Sequence, residues 1–255
     1  MPMLAQLGYR VWAPNLRGYG RSSRPGRVAD YHIDHLVADV EGLIRAAGAR
    51  ETLLIGHDWG GGVAWMTALA DRCPLAGLVV INCPHPALFA QGLYRWPQLR
   101  RSWYVFAFQL PRLPEFLLRR REARAIAGTF LDMAVDRSRF PEDVLDVYRR
   151  QALEPGALTA MLNYYRANRR MPHTARPDLK RPVTTPTLLI WGEADTALGK
   201  ELTVGTDRLV SDLTVRYLPG VSHWAQQEAP EVVNDTILHW LDRPRRNAPT
   251  PSTDE

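Results

Sequence analysis

The chain has 255 residues, 45% hydrophobic and 23% charged, with a net charge of +5. That composition buries a sizeable core and excludes disorder for the bulk of the chain. No run approaches the ~20 apolar residues of a membrane span. The positive charge is nearly all arginine, since Lys180 and Lys200 are the only lysines. Its one dense run, Arg119, Arg120, Arg121 and Arg124, reads as a solvated helix face and not as a nucleic-acid footprint.

Residues 1–8 read as the end of a helix closed by Gly8. Residues 9–13 read as a short strand stopped by Pro14, and 15–24 as a glycine-rich loop. Over 33–47, Leu36, Val40, Leu43, Ile44 and Ala47 share a helical face, with Asp34 as N-cap and Gly48 past the end. Residues 52–56 are apolar throughout, the mark of a strand buried in a parallel sheet. A helix of small residues over 60–72 and a second buried strand over 75–82 follow. This strand–helix alternation predicts an α/β fold with helices on both sheet faces.

The character changes after His85: residues 87–180 are rich in Arg, Trp, Tyr and Phe, helical in spacing, and without a clear strand. Strands return at 187–192 and 213–218, with helices at about 198–210 and 228–241. The expected organisation is a core in two parts, 1–85 and 181–242, split by a helical insertion over 86–180. A polar, proline-rich tail over 243–255 is expected to be disordered. Two cysteines, Cys73 and Cys83, make no disulfide framework, and the start lacks the charged n-region of a signal peptide. The cytoplasm is the expected compartment.

The sharpest motif is Gly56-His57-Asp58-Trp59-Gly60-Gly61, where a buried strand meets a helix. It has the form of a nucleophile elbow, with Asp58 where a serine commonly stands. Gly56 and Gly60 are expected to avoid clashes with the neighbouring strand and helix. Asp58 then stands above the sheet at a helix N-terminus, whose dipole favours a carboxylate. The competing reading is a tight turn with an N-cap aspartate. Downstream, Trp191-Gly192-Glu193-Ala194-Asp195 ends one strand, and Pro219-Gly220-Val221-Ser222-His223-Trp224 follows the next. Nucleophile, acid and histidine thus occur in α/β-hydrolase order. His223 is the expected base and Asp195 its orienting acid, with Glu193 the rival acid.

An aspartate nucleophile suits displacement at an electrophilic sp³ carbon. It yields an alkyl ester that water activated by His223 then hydrolyses. Epoxide oxygen and halide are the compatible leaving groups.

With these residues the whole chain resembles the epoxide hydrolase family of the α/β-hydrolase fold, and the insertion resembles that family's helical cap. The resemblance implies two cap tyrosines that protonate the epoxide oxygen. The segment over 102–111 resembles the one carrying the first, at Tyr104, and 162–167 the one carrying the second, at Tyr165. It further implies a backbone N–H of Trp59 in the oxyanion hole. The aromatics of the insertion, Trp96, Trp103, Phe106 and Phe108, suggest an apolar ligand, with Trp103 and Phe108 as the expected substrate contacts, and His57 is expected to make structural hydrogen bonds. Arg17 to Ser22 matches a family loop beneath the site, though locally it is a turn. His85 either lines the site or caps the hinge into the insertion. No spacing suits a metal and no phosphate loop appears, so neither metal nor cofactor is expected. The expected partners are a small apolar epoxide and water, with no nucleic acid and no membrane; oligomeric state, monomer or homodimer, is left open.

The pattern departs from the family at the N-terminus. Relatives carry a strand ending in His-Gly-x-Pro, which supplies the second oxyanion donor, and this chain has no such strand. Its family position is between residues 11–13 and 53–55. The expectation is a start assigned too late. Two other functions stay open: a haloalkane or haloacid dehalogenase of the same fold, and a catalytically impaired remnant acting as a binding protein.

Overall fold

A computed structural model describes residues 1–169 and 178–243. Four parallel strands form one sheet in the order β1 (Thr52–His57), β2 (Leu75–Ile81), β3 (Thr187–Gly192) and β4 (Leu213–Leu218). Strand β3 is buried at every position, which is why it reads as an unbroken apolar run.

Alternate residues of the central strands face two separate cores. On one face Leu78, Val80, Leu189 and Trp191 pack on α2 (Ile33–Ala47) and α3 (Trp59–Ala70) through Leu36, Val37, Trp65 and Leu69. On the other, Val79, Ile81, Leu188 and Ile190 pack on Val233, Ile237 and Trp240 of α11 (Pro230–Leu241). The expected two-sided layering is therefore present. Helix α1 (Pro2–Gln6) ends as the sequence suggests, with Gly8 at φ 85°.

Two expected elements differ. Residues 9–13 form no strand, and Trp12 is 49% exposed. Among the described residues β1 pairs only with β2, so this segment has no ladder to join, and Ile55 in mid-strand is 37% exposed. The expected helix over 198–210 is two short 3-10 turns, Lys200–Thr203 and Thr206–Arg208. Gly205, at φ 93° between them, interrupts any continuous helix. The expected tail lies, apart from Arg243, outside the described residues.

Between β2 and β3 the chain makes six α-helices among the described residues. They are α4 (Pro86–Gly92), α5 (Gln98–Arg101), α6 (Trp103–Ala107), α7 (Leu113–Met133), α8 (Glu142–Leu153) and α9 (Ala157–Asn168). Helix α7 is broken by a non-helical turn over 120–123. Helix α9 is tied down on the core. Asn168 donates to the Tyr31 carbonyl at 3.0 Å and accepts from the Ile33 N–H at 2.9 Å, and the buried Tyr164 donates to the Arg17 carbonyl at 2.6 Å. Gly18, in that same loop, lies so close that a Cβ there would meet Ala160 of α9 at 2.9 Å. The short helix α10 (Ala225–Glu228) and then α11 complete the core.

Candidate active site

The site lies at the carboxyl ends of the parallel strands, where loops converge in α/β sheets. Asp58 follows β1 at φ 48° and ψ −121°, a conformation that costs of order 1–3 kcal/mol for a non-glycine residue. The surrounding packing enforces it. A Cβ on Gly56 would lie 2.3 Å from the Gly60 carbonyl oxygen, and one on Gly61 would lie 2.6 Å from Cys83 Cβ. The crowded glycines are thus Gly56 and Gly61. A Cβ on Gly60 would meet nothing within 4 Å, so the clash expected of its side chain is corrected. Asp58 occupies the N-cap of α3 but makes no side-chain cap hydrogen bond. Its carboxylate is not spent on capping, contrary to the simple capping-turn reading.

His223 lies in the loop after β4. Its Nε2 stands 3.6 Å from Asp58 Oδ1, and its Nδ1 is 2.7 Å from Asp195 Oδ2. The side chain of Asp195 is fully buried. Its second oxygen accepts the Ala197 and Leu198 N–H groups, both at 2.8 Å. The rival Glu193 instead pairs with Lys200 at the surface. A Cβ on Gly192 would lie 2.2 Å from the Ser222 carbonyl oxygen, so glycine there lets the acid loop and the histidine loop touch.

Burial alone would lower the His223 pKa. The Asp195 hydrogen bond and the charges of Asp195 and Asp58 outweigh it, and the net shift is upward. For Asp195, burial raises the pKa, but the His223, Leu198 and Asn82 hydrogen bonds together carry it below the usual carboxylate value. His57, 4.8 Å from His223 between ring centroids, donates through Nε2 to the His223 carbonyl at 2.8 Å. Burial first, and the nearby His223 second, push its pKa down to about 4.

Asn82 was not singled out by the sequence. It follows β2, is fully buried, and has φ 42°. Its Nδ2 donates to Asp195 Oδ2 at 2.8 Å, while its Oδ1 accepts the Gly192 N–H at 3.1 Å. The only local signal was an asparagine, which tolerates left-handed backbone, directly after a buried strand.

From the insertion, Tyr104 of α6 and Tyr165 of α9 come together with ring centroids 5.9 Å apart. Tyr165 sits edge-on to Trp59 at 5.2 Å. Burial is the main cause that raises both phenol pKa values, and the Asp58 charge adds to it. Arg166, next to Tyr165, fastens the two helices. It donates to the Phe108 and Leu110 carbonyls at 3.0 and 2.9 Å and pairs with Glu115 at 2.6 Å. Gln98 fastens the insertion to the acid loop. It donates to Ser102 Oγ and the Ala197 carbonyl, both at 2.8 Å, and accepts the Gly199 N–H at 2.9 Å.

Phe108 joins this cluster, 5.1 Å from the Tyr165 ring. Trp103 does not: it is 67% exposed on the outside of α6, so the expectation that it meets substrate is corrected. His85 caps α4, accepting the Ala87 N–H at 3.3 Å, and burial lowers its pKa to about 4. It is a hinge residue. Among the described residues no cluster of three or more His, Cys, Asp or Glu could hold a metal ion.

The family described as alpha/beta hydrolase fold matches residues 1–230. Among curated proteins, the chain is 36% identical over 244 residues to Epoxide hydrolase 4 of Mus musculus, covering 93% of this chain and 67% of that one. It is 39% identical over 245 residues to the AB hydrolase superfamily protein YfhM of Bacillus subtilis, covering 93% and 82%. The chain spans 64% and 66% of the length of two further vertebrate relatives, just under two thirds. Among solved structures, an epoxide hydrolase of Bacillus megaterium bound to an inhibitor superposes with a TM-score of 0.79 at 28% identity, over 89% of this chain and 82% of that one.

Proposed function

The chain belongs to the α/β-hydrolase fold family, and on that premise we propose that it hydrolyses an apolar epoxide to the vicinal diol through an alkyl ester of Asp58. The observation that carries this reading is the strained Asp58 within 3.6 Å of a histidine paired to Asp195, with two half-buried phenols close enough to feel its charge. The relatives named epoxide hydrolase support it.

In the first step an Asp58 oxygen attacks an epoxide carbon and the ring C–O bond breaks. The departing alkoxide takes a proton from Tyr104 or Tyr165. Both phenols hold their protons at neutral pH, because burial raises their pKa values. In the second step His223 Nε2 accepts a proton from water, and the hydroxide attacks the ester carbonyl of Asp58. The N–H of Trp59, in the first turn of α3 where no intrahelical acceptor is within reach, stabilises the oxyanion. The intermediate collapses, the ester oxygen leaves with the remaining water proton to complete the diol, and the proton on His223 returns to the phenolate, so Asp58 regains a carboxylate carrying one oxygen from water. Asp195 stabilises the imidazolium in between. Phe108 supplies an apolar wall beside the phenols.

The dehalogenase alternative needs the Trp59 indole N–H to hold a halide. That indole stands edge-on to the Tyr165 ring, beside two phenols able to protonate an oxygen leaving group, which favours the epoxide. The test is turnover in heavy-oxygen water followed by mass analysis of the Asp58 peptide. Label in Asp58 after repeated turnovers is the expected result. Unlabelled Asp58 after many turnovers refutes the ester.

A further inference from the structure

The insertion has a second face that the proposed chemistry does not use. Among the described residues, nine of the nineteen exposed large apolar side chains fall within residues 94–117. They include Trp96 at 71%, Trp103 at 67%, Tyr94 at 65% and Phe116 at 61%. Helix α6 divides its sides: Tyr104 turns inward to Tyr165, while Trp103 and Phe106 stay outside. Tyr94 meets Phe106 on that outer side, 6.5 Å between ring centroids.

The charge is concentrated in the same place. Residues 94–124 hold eight arginines and two glutamates, a net +6, against +5 for the whole chain. The remainder is therefore close to neutral. One glutamate, Glu115, is consumed by Arg166. Among the described residues only Arg101 of the eight arginines pairs with a carboxylate, that of Glu201. Arg120 rests its guanidinium 5.7 Å over the Phe116 ring, joining the two kinds of side chain into one surface.

We propose that this outer face of the insertion docks on the surface of an anionic phospholipid bilayer. Exposed aromatic and aliphatic side chains interleaved with arginine match the chemistry of an interfacial anchor. Tryptophan and tyrosine suit the headgroup level, and leucine and phenylalanine the upper acyl region. Leu99, Leu110, Leu113 and Leu117 have no use in stacking on nucleobases, which sets nucleic acid below lipid. A second copy is disfavoured because this face would bring +6 against +6. The expectation of no membrane partner rests on the lack of a spanning segment, and among the described residues no helix is long and apolar enough to cross a membrane. Surface docking needs none. Because Tyr104 and Trp103 are adjacent in one helix, docking places the phenols a few residues from the acyl region. An apolar substrate then reaches the site from lipid.

The experiment is sedimentation of the full chain with vesicles, without substrate, so that its outcome is independent of the epoxide reading. Vesicles of phosphatidylcholine with phosphatidylglycerol should carry the protein down at low salt, and phosphatidylcholine alone should not. Raising salt to about half molar should release it. Each arginine near such a surface is worth about fivefold in affinity. Arg95→Glu with Arg119→Glu should therefore weaken binding about 25-fold or more. Phe116→Ser with Leu117→Ser should weaken it while leaving the salt dependence, with unchanged circular dichroism in both pairs. Equal binding to both vesicle types, binding untouched by either pair of substitutions, or no binding to vesicles overturns the proposal. So does binding to duplex DNA or RNA that the same substitutions abolish while vesicles are ignored, or a self-association that they dissolve.

Discussion

Asn82→Ala separates the two halves of the proposed reaction. The side-chain hydrogen bonds of Asn82 go to Gly192 and Asp195, not to Asp58 or the phenols. It acts through Asp195, to which it donates at 2.8 Å, and through the Gly192 N–H that it accepts at 3.1 Å. Removing a hydrogen bond to a buried carboxylate costs about 1.5–3 kcal/mol. If that stabilisation serves the imidazolium formed during ester hydrolysis, the hydrolysis rate falls about 10- to 150-fold. Alkylation, in which His223 gains no proton, should stay within about threefold of the parent, inside the scatter of such values. The variant should then accumulate the ester, seen as an added substrate mass on the intact protein in rapid-quench samples. Stability will fall as well. Alanine at φ 42° costs roughly 1–2 kcal/mol, and the orphaned Gly192 N–H about 1–3 kcal/mol. Asn82→Gly removes the backbone strain but loses the same hydrogen bonds, so its hydrolysis rate should drop by a similar factor. Equal losses in alkylation and hydrolysis, or no accumulated ester, refute the reasoning.

Three other outcomes follow from the same geometry. Tyr165→Phe and Tyr104→Phe should each slow alkylation by about 10²-fold or less if the partner phenol substitutes, and the double variant by roughly 10²- to 10⁴-fold, with ester hydrolysis measured on preformed ester little changed. Single-turnover hydrolysis should rise with pH through a His223 limb lying above the ordinary imidazole value of 6.5, because a raised pKa keeps the base protonated to higher pH. Asp195→Asn should move that limb downward, since burial is then less opposed, and neither tyrosine should impose an alkaline limb below pH 10. Gly56→Ala should lower the thermal midpoint by about 4–10 °C through its 2.3 Å backbone clash, whereas Gly60→Ala should change stability by no more than about 1 kcal/mol. Equal effects of the two alanines refute the packing account of the elbow.

The core strands were legible because burial on both faces leaves an unbroken apolar run, as in Thr187–Gly192. The elbow turn and the loops carrying the candidate acids and the histidine could be located in the sequence because each is a local motif fixed by one turn. Asn82 was not, because its role depends on two partners more than a hundred residues away, Gly192 and Asp195. The side of α6 that each aromatic takes was equally hidden. Trp103 and Tyr104 are chemically similar neighbours, and only the docking of α6 against α9 decides which one points inward. Glu193 and Asp195 were likewise separable only through their partners, Lys200 and His223. The strand expected over 9–13 failed because a strand is a relation between two segments, and its local pattern says nothing of the neighbour.

Two imidazoles lie 4.8 Å apart beside Asp58, and their environments drive them in opposite directions. His57 stays neutral down to about pH 4, with its only ring proton committed to a carbonyl. A proton released beside this pair therefore has a single address. The neutral ring also holds the backbone of the ring that charges, so the acceptor is kept in place by a twin that never competes with it.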